Sequence, residues 1–188
     1  MIVAIHQPNF FPWFPFFHKM KSADRFVILN HCQFEKNNYQ NRFFYRDAWH
    51  TMSVFKGLDP IISKKYVDPF NDWSRIKRKL SDKSQILEKF DSCISDNLSE
   101  TNCKIIETLA SELKISTEIL YDSETDLKSS DRLIWICKNL GANAYLAGSG
   151  GKNYMDIEKF KSNNIDVIFQ NLDDSDKIHT LDVLSANR

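Results

Sequence analysis

A chain of 188 residues suits one compact domain that buries its own core without disulfide or metal staples. Apolar residues at 42% exclude global disorder, and 25 basic against 25 acidic residues leave no net charge for bulk capture of nucleic acid or an anionic membrane. No apolar run approaches bilayer length, and Met-Ile-Val-Ala-Ile runs straight into His6-Gln7-Pro8 with neither basic leader nor cleavage site, so a cytoplasmic protein without membrane insertion is expected.

Residues 2–5 form an apolar run too short for a helix and stopped by Pro8, which predicts a buried first strand. Pro8 and Pro12 stiffen the loop that follows, and Pro15 suits the first turn of a helix through residues 16–21. A second strand is predicted over 25–29, then two more over 40–45 and 51–55 as a hairpin or meander. Helical spacing of apolar residues follows at 73–80, 85–98 and 100–113, with Ser99 or Thr101 as a cap, and predicts a helical lobe inserted at 71–114. The last third alternates: strand 117–121, helix 131–140 closed by Gly141, strand 143–147, helix 155–161, strand 166–170. That alternation implies parallel strands joined by helical crossovers. The expected fold is therefore α/β: a largely parallel sheet flanked by helices, with the lobe in mid-chain, and one domain over 1–188. Leu181 to Leu184 is apolar but has no predicted place.

Three segments carry polar groups at strand exits. In open α/β sheets, ligands bind beyond the carboxyl ends of the strands. His6 and Gln7 leave the first strand into the proline-stiffened loop; His6 is a candidate general acid or base, and Gln7 a candidate catalytic residue that orients the sugar or the acyl carbonyl. Asp24 is the acid near this segment, a candidate to orient His6 or Arg42, or to cap a turn. Gln33, Lys36, Gln40, Asn41 and Arg42 pack amides and cations after the second strand, a mixture that suits a sugar joined to a nucleotide diphosphate. Gly148-Ser149-Gly150-Gly151 follows a strand and lets backbone N–H groups approach an anion, though it has neither Walker nor G-x-G-x-x-G spacing. Trp13 is a candidate stacking platform. The four cysteines (Cys32, Cys93, Cys103, Cys137) include no C-x-x-C pair and no zinc-finger spacing, so reduced thiols and no metal are expected.

His6-Gln7-Pro8-Asn9-Phe10-Phe11-Pro12-Trp13, then Phe17-His18-Lys19, Ala23-Asp24-Arg25-Phe26-Val27, Gln33-Phe34, Lys36 and Gln40-Asn41-Arg42 together resemble the opening of the WbqC-like family. Arg132-Leu133-Ile134, Tyr145-Leu146-Ala147 with the glycine turn, Tyr154 and the closing Ile165 to Gln170 segment continue the resemblance over nearly the whole chain. It implies a place in O-antigen, capsule or related lipopolysaccharide and surface-glycan biosynthesis. The activity it implies is transfer of an acyl or aminoacyl group to the amine of a nucleotide-linked amino sugar. No bound cofactor is then expected. The donor would be an acyl thioester of coenzyme A or of an acyl carrier protein, and Tyr154 would join the glycine turn in binding substrate. The chain departs from the family pattern at residues 171–180, which are short and acidic before Leu181-Asp182-Val183-Leu184. Two rival readings are an adenylyl-transferring enzyme, for which the His6 to His18 spacing is too long, and a non-catalytic nucleotide-sugar binding protein of an assembly complex.

Overall fold

The computed structural model describes the whole chain except Tyr154, Asn187 and Arg188, and leaves out the side chains of Asn153 and Ser175. Strand β1 (Ile2–His6) leads through the proline loop into helix α1 (Phe14–Lys21) and strand β2 (Arg25–Ile28). A separate antiparallel hairpin follows, β3 (Arg42–Tyr45) and β4 (Ala48–Thr51). The mid-chain lobe contains α2 (Pro69–Lys79), α3 (Ser84–Leu87) and α4 (Leu98–Glu112). Strand β5 (Glu118–Tyr121), helix α5 (Ser129–Asn139), strand β6 (Ala144–Ala147), helix α6 (Ile157–Ser162), strand β7 (Asp166–Phe169) and helix α7 (Thr180–Ala186) complete the order.

The five strands other than the hairpin make one sheet, all parallel, in the order β5-β2-β1-β6-β7. Alternating strand residues face two separate cores. Ala4, Phe26, Ile28 and Leu146 pack with Phe16, Phe17 and Met20 of α1 and with Ile105, Ile106 and Leu109 of α4. Val3, Ile5, Val27, Tyr145 and Ala147 pack on the other face with Ile134, Ile136 and Cys137 of α5 and Phe160 of α6. The chain thus winds outward from β1 in one direction with α1 and the lobe on one face. It then crosses to β6 and winds the other way with α5 and α6 on the opposite face. The direction changes between β1 and β6, which is where a doubly wound sheet opens a crevice at its carboxyl edge.

Two predicted elements differ. The hairpin turns at Arg46-Asp47, both at positive φ (51° and 57°), so β4 is Ala48–Thr51 and the predicted strand over 51–55 does not form. Two left-handed residues are what a two-residue hairpin turn needs, but neither is the glycine or asparagine that usually marks one. The predicted helix over 85–98 breaks into α3 and a 3-10 segment at Glu88–Cys93, after which Ile94 is extended. The break delivers Asn97 as the N-cap of α4, its side chain accepting from Glu100 N, so neither Ser99 nor Thr101 is the cap. The unplaced apolar stretch at 181–184 is the buried stripe of α7.

Asn102, on α4, is wholly buried and ties the lobe to the sheet. Its amide nitrogen donates to the carbonyls of Pro8 (2.8 Å) and Gln40 (2.7 Å), while Tyr66 donates to its amide oxygen at 3.2 Å. Asn102→Ala orphans two buried carbonyls and a hydroxyl, so it is expected to lower unfolding free energy by about 2 kcal/mol in urea titration. A change within 0.5 kcal/mol would show that these groups find other partners.

Candidate functional site

Every parallel strand leaves polar residues at its carboxyl end: His6-Gln7 after β1, Asn30-His31 after β2, Asp122 after β5, Gly148-Ser149 after β6 and Gln170 after β7. The β1–β6 ladder ends at Ala4 and Leu146. The His6 carbonyl faces β2 and accepts from Leu29 N (2.9 Å), so the Ile5 carbonyl, one residue earlier, faces the opening toward β6. Lys19 Nζ donates to that carbonyl at 2.8 Å and stands 5.8 Å from the Tyr145 ring centroid. An ammonium therefore sits where the next strand amide would have been. Lys19 is only 3% exposed, and burial lowers its pKa to about 7.

The His6 ring packs edge-on against Phe16, centroids 4.9 Å apart. Its Nδ1 lies 2.8 Å from the Gln7 carbonyl, an acceptor, so Nδ1 carries the hydrogen and Nε2 the lone pair. Burial lowers its pKa to about 4, with the Lys19 charge adding to the effect and the Gln7 hydrogen bond opposing it. A drop of that size disfavours the imidazolium by about 3 kcal/mol, so His6 is neutral at pH 7 and a hydrogen-bond acceptor. His18 Nδ1 and Gln170 Nε2 are 3.1 Å apart, and Gln170 also donates to the Pro15 carbonyl at 2.8 Å, which fixes α1 against the exit of β7.

The glycine turn lies across the crevice from β1. Ser149–Asn153 forms a 3-10 segment, with Gly151 N bonded to the Gly148 carbonyl at 2.9 Å. A Cβ at Gly148 or Gly150 would meet nothing within 4 Å, so the backbone there borders open space; at Gly151 it would come 3.0 Å from Met155 Sδ and 3.3 Å from Ala147 Cβ. Ser149 and Gly150 are exposed. Tyr154 lies outside the described residues.

The amide-and-cation segment meets β1 through Gln7 but is mostly occupied in holding itself together. Gln40, 0% exposed, donates to Gln7 Oε1 (2.7 Å) and accepts from Glu35 N (2.8 Å). Gln7 Nε2 stands 3.5 Å from Glu35 Oε1, and Asn41 Nδ2 donates to the Met52 carbonyl at 2.7 Å. The Arg42 guanidinium lies over Trp49, 3.9 Å from its centroid, and donates to the Asn37 carbonyl. Stacked and hydrogen-bonded in this way, Arg42 is a brace for the hairpin rather than an arm reaching for phosphate. Lys36 and Gln33 are exposed, and the Gln33 backbone bridges to Pro60.

Two predicted residues are not brought to the crevice. Asp24 sits at the amino end of the sheet, its carboxylate accepting from Ile2 N at 2.7 Å, so it is a turn cap four residues of β1 away from His6. Trp13, 48% exposed, instead lines a groove of about 460 Å³ with Tyr39, Phe44, Tyr45 and His179, between the hairpin and the segment before α7.

Reading the sequence alone gave no site role to Lys19, His31, Asp122 or Arg132, although Lys19 and Arg132 lie in the segments that carry the family resemblance. Asp122, with its side chain wholly buried, accepts from Asn30 N (2.7 Å), from His31 N (3.3 Å) and from Arg132, and lies 3.0 Å from His31 Nδ1. Cys32 follows; burial raises its thiol pKa, while Arg132 and the Gln7 amide pull it down, so the thiol is no activated nucleophile. The signals were present. Lys19 interrupts the apolar face Phe16, Phe17, Met20, and Asp122 and His31 follow β-rich runs.

Comparison with known proteins places this arrangement. The profile of the WbqC-like protein family matches residues 7–179. The chain belongs to that family. It is 26% identical over 191 residues to "Uncharacterized protein Rv1507c" of Mycobacterium tuberculosis (strain ATCC 25618 / H37Rv), covering 91% of this chain and 82% of that one. No solved structure matches it. The match begins at Gln7, so β1 with His6 lies just before it, while Lys19, the glycine turn, the hairpin and the buried cluster around Asp122 lie within it. Among the described residues no helix is long and apolar enough to cross a membrane, and no three His, Cys, Asp or Glu side chains are grouped to hold a metal.

Proposed function

We propose that this WbqC-like chain is a transferase of bacterial surface-glycan biosynthesis, attaching an acyl or aminoacyl group to the amine of a nucleotide-linked amino sugar. The observation that carries the proposal is the reversal of strand order between β1 and β6, with Lys19 bonded to the Ile5 carbonyl on one side and a glycine turn bordering open space on the other. Nucleotide phosphates bind at such crevices because backbone N–H groups and a fixed cation replace their water. Lys19 and the Gly148 to Gly150 backbone would receive the diphosphate. His6 Nε2 would accept a hydrogen bond from the sugar amine. A proton moved from the sugar's ammonium, of pKa near 8, onto an imidazole of pKa about 4 climbs about 5 kcal/mol, so His6 holds the nitrogen by a hydrogen bond rather than deprotonating it. Gln7, engaged by Gln40, keeps the loop in place. The acyl donor is a thioester of coenzyme A or of a carrier protein.

UDP-glucosamine tests the binding half. At a hundred times its Kd it is expected to raise Tm by roughly 5–10 °C through mass action, with UDP alone giving part of the shift. No shift with any nucleotide-linked amino sugar would remove the proposal. An adenylyl-transfer reading draws on the same crevice, since the doubly wound order suits ATP equally. Release of pyrophosphate from ATP would favour it. Binding without turnover of any donor would favour a non-catalytic carrier.

A further inference from the structure

We propose that His31, oriented by Asp122, is the proton-transfer residue of this site. The inference rests on the acyl-transfer reading and names the group that carries the proton, a task His6 is poorly placed to perform.

The geometry is that of an imidazole fixed at one edge and offered at the other. Asp122 Oδ1 lies 3.0 Å from His31 Nδ1, and an ionised carboxylate only accepts, so Nδ1 carries the hydrogen and Nε2 the lone pair. Among the described residues Nε2 has no hydrogen-bond partner. The carboxylate is itself immobilised by Asn30 N, His31 N and Arg132. The Asp122 side chain is 0% exposed and that of His31 is 24% exposed, so the pair is buried at the carboxylate and open at the ring. This is the arrangement that stabilises an imidazolium as it forms: a negative charge held against Nδ1, with the other nitrogen free to take a proton. His6 has no carboxylate; its Nδ1 faces a neutral carbonyl.

Position supports the same assignment. His31 lies three residues beyond Ile28, the residue paired with His6, so both histidines stand on the same carboxyl edge. Cys32 bridges them, being close to the Gln7 side chain on one side and to Arg132 and Asp122 on the other.

In the step proposed, the sugar amine attacks the thioester carbonyl carbon. The N–C bond forms as the carbonyl electron pair moves to oxygen. The nitrogen passes one proton to His31 Nε2. The oxyanion then restores the carbonyl, the C–S bond breaks, and the departing thiolate takes that proton from His31, leaving amide and free thiol.

The test compares wild type with His31→Asn, whose amide N–H can stand in for Nδ1–H toward Asp122, and with His31→Ala. UDP-glucosamine is the amine, and acetyl-, 3-hydroxyacyl- and glycyl-thioesters of coenzyme A and of an acyl carrier protein are the donors. His31→Asn is expected to lose about a hundredfold or more in kcat with KM within threefold, and millimolar imidazole is expected to restore part of the rate to His31→Ala. Imidazole rescue reports a missing base and is not produced by a missing support. If wild type turns over and His31→Asn stays within threefold of it, or imidazole leaves His31→Ala unchanged, the proton-transfer role is overturned and the acyl-transfer reading stands. If wild type turns over none of the thioesters, the acyl-transfer reading fails and the role of His31 with it.

Discussion

Asp122→Ala is expected to lower unfolding free energy by about 3–5 kcal/mol, because it leaves the Arg132 guanidinium buried without its counter-ion. The same carboxylate receives the backbone N–H groups of Asn30 and His31, so the exit of β2 loses its anchor as well. Arg132→Met alone strands the negative charge and should cost a similar amount. The double variant, Asp122→Ala with Arg132→Met, is expected to fall short of the sum of the two by about 2 kcal/mol or more, since no unpaired charge remains. Urea unfolding of the four proteins at one pH measures this. Additivity within 0.5 kcal/mol would mean that the pair is solvated rather than buried. The cluster is a costly device for holding one imidazole ring, which is a reason to look for its use in chemistry rather than in stability.

Lys19 makes stability depend on pH with a particular sign. Its pKa falls from the ordinary 10.5 to about 7 on folding, through burial. Between those values the unfolded chain binds more protons than the folded one, so stability rises with pH across that window and is lowest once pH is below 7. From pH 6 to pH 10 the rise due to this group is roughly 4 kcal/mol. Lys19→Met is expected to flatten that part of the profile while abolishing the thermal shift by UDP-glucosamine. An unaltered slope in Lys19→Met would show that the ammonium keeps its water. His6 and His179, both lowered by burial to about 4, act with the same sign between pH 4 and 6.5. The fold should therefore weaken in two stages on acidification. A buried cation that costs the fold stability at neutral pH is understandable if an anion is its partner during function.

The parallel sheet was legible in the sequence because each strand is a short apolar run and each crossover helix a periodic one. Strand order followed from neither, since it depends on which face each helix covers. The lobe was legible as helical but not in its joints: Ile86, Leu87, Phe90 and Ile94 keep helical spacing although the chain turns extended at Ile94. Their spacing reflects one buried wall, built from α3, a 3-10 segment and an extended residue. The hairpin turn escaped because Arg46 and Asp47 take left-handed conformations without glycine. The placement of His6, Gln7 and the glycine turn at the carboxyl edge of the sheet was readable because they follow strands directly. The role expected of Arg42 was not, since a cation stacked on Trp49 and one free to bind phosphate look alike in sequence. Asp24 is close to His6 in the chain, but β1 and β2 run parallel, so it meets the start of β1 and not its end. Asp122 and Arg132 lie about a hundred residues from His31, and only the β2–β5 pairing brings them together.

That one crevice binds a nucleotide-linked amino sugar is tested most directly by amide NMR of the protein titrated with UDP-glucosamine. The largest shifts should fall at Gln7, Gly148, Ser149 and Gln170, with His31 responding as the sugar amine arrives. Shifts confined to the groove around Trp13, Tyr39 and His179, or to the amino edge near Asp24, would contradict it.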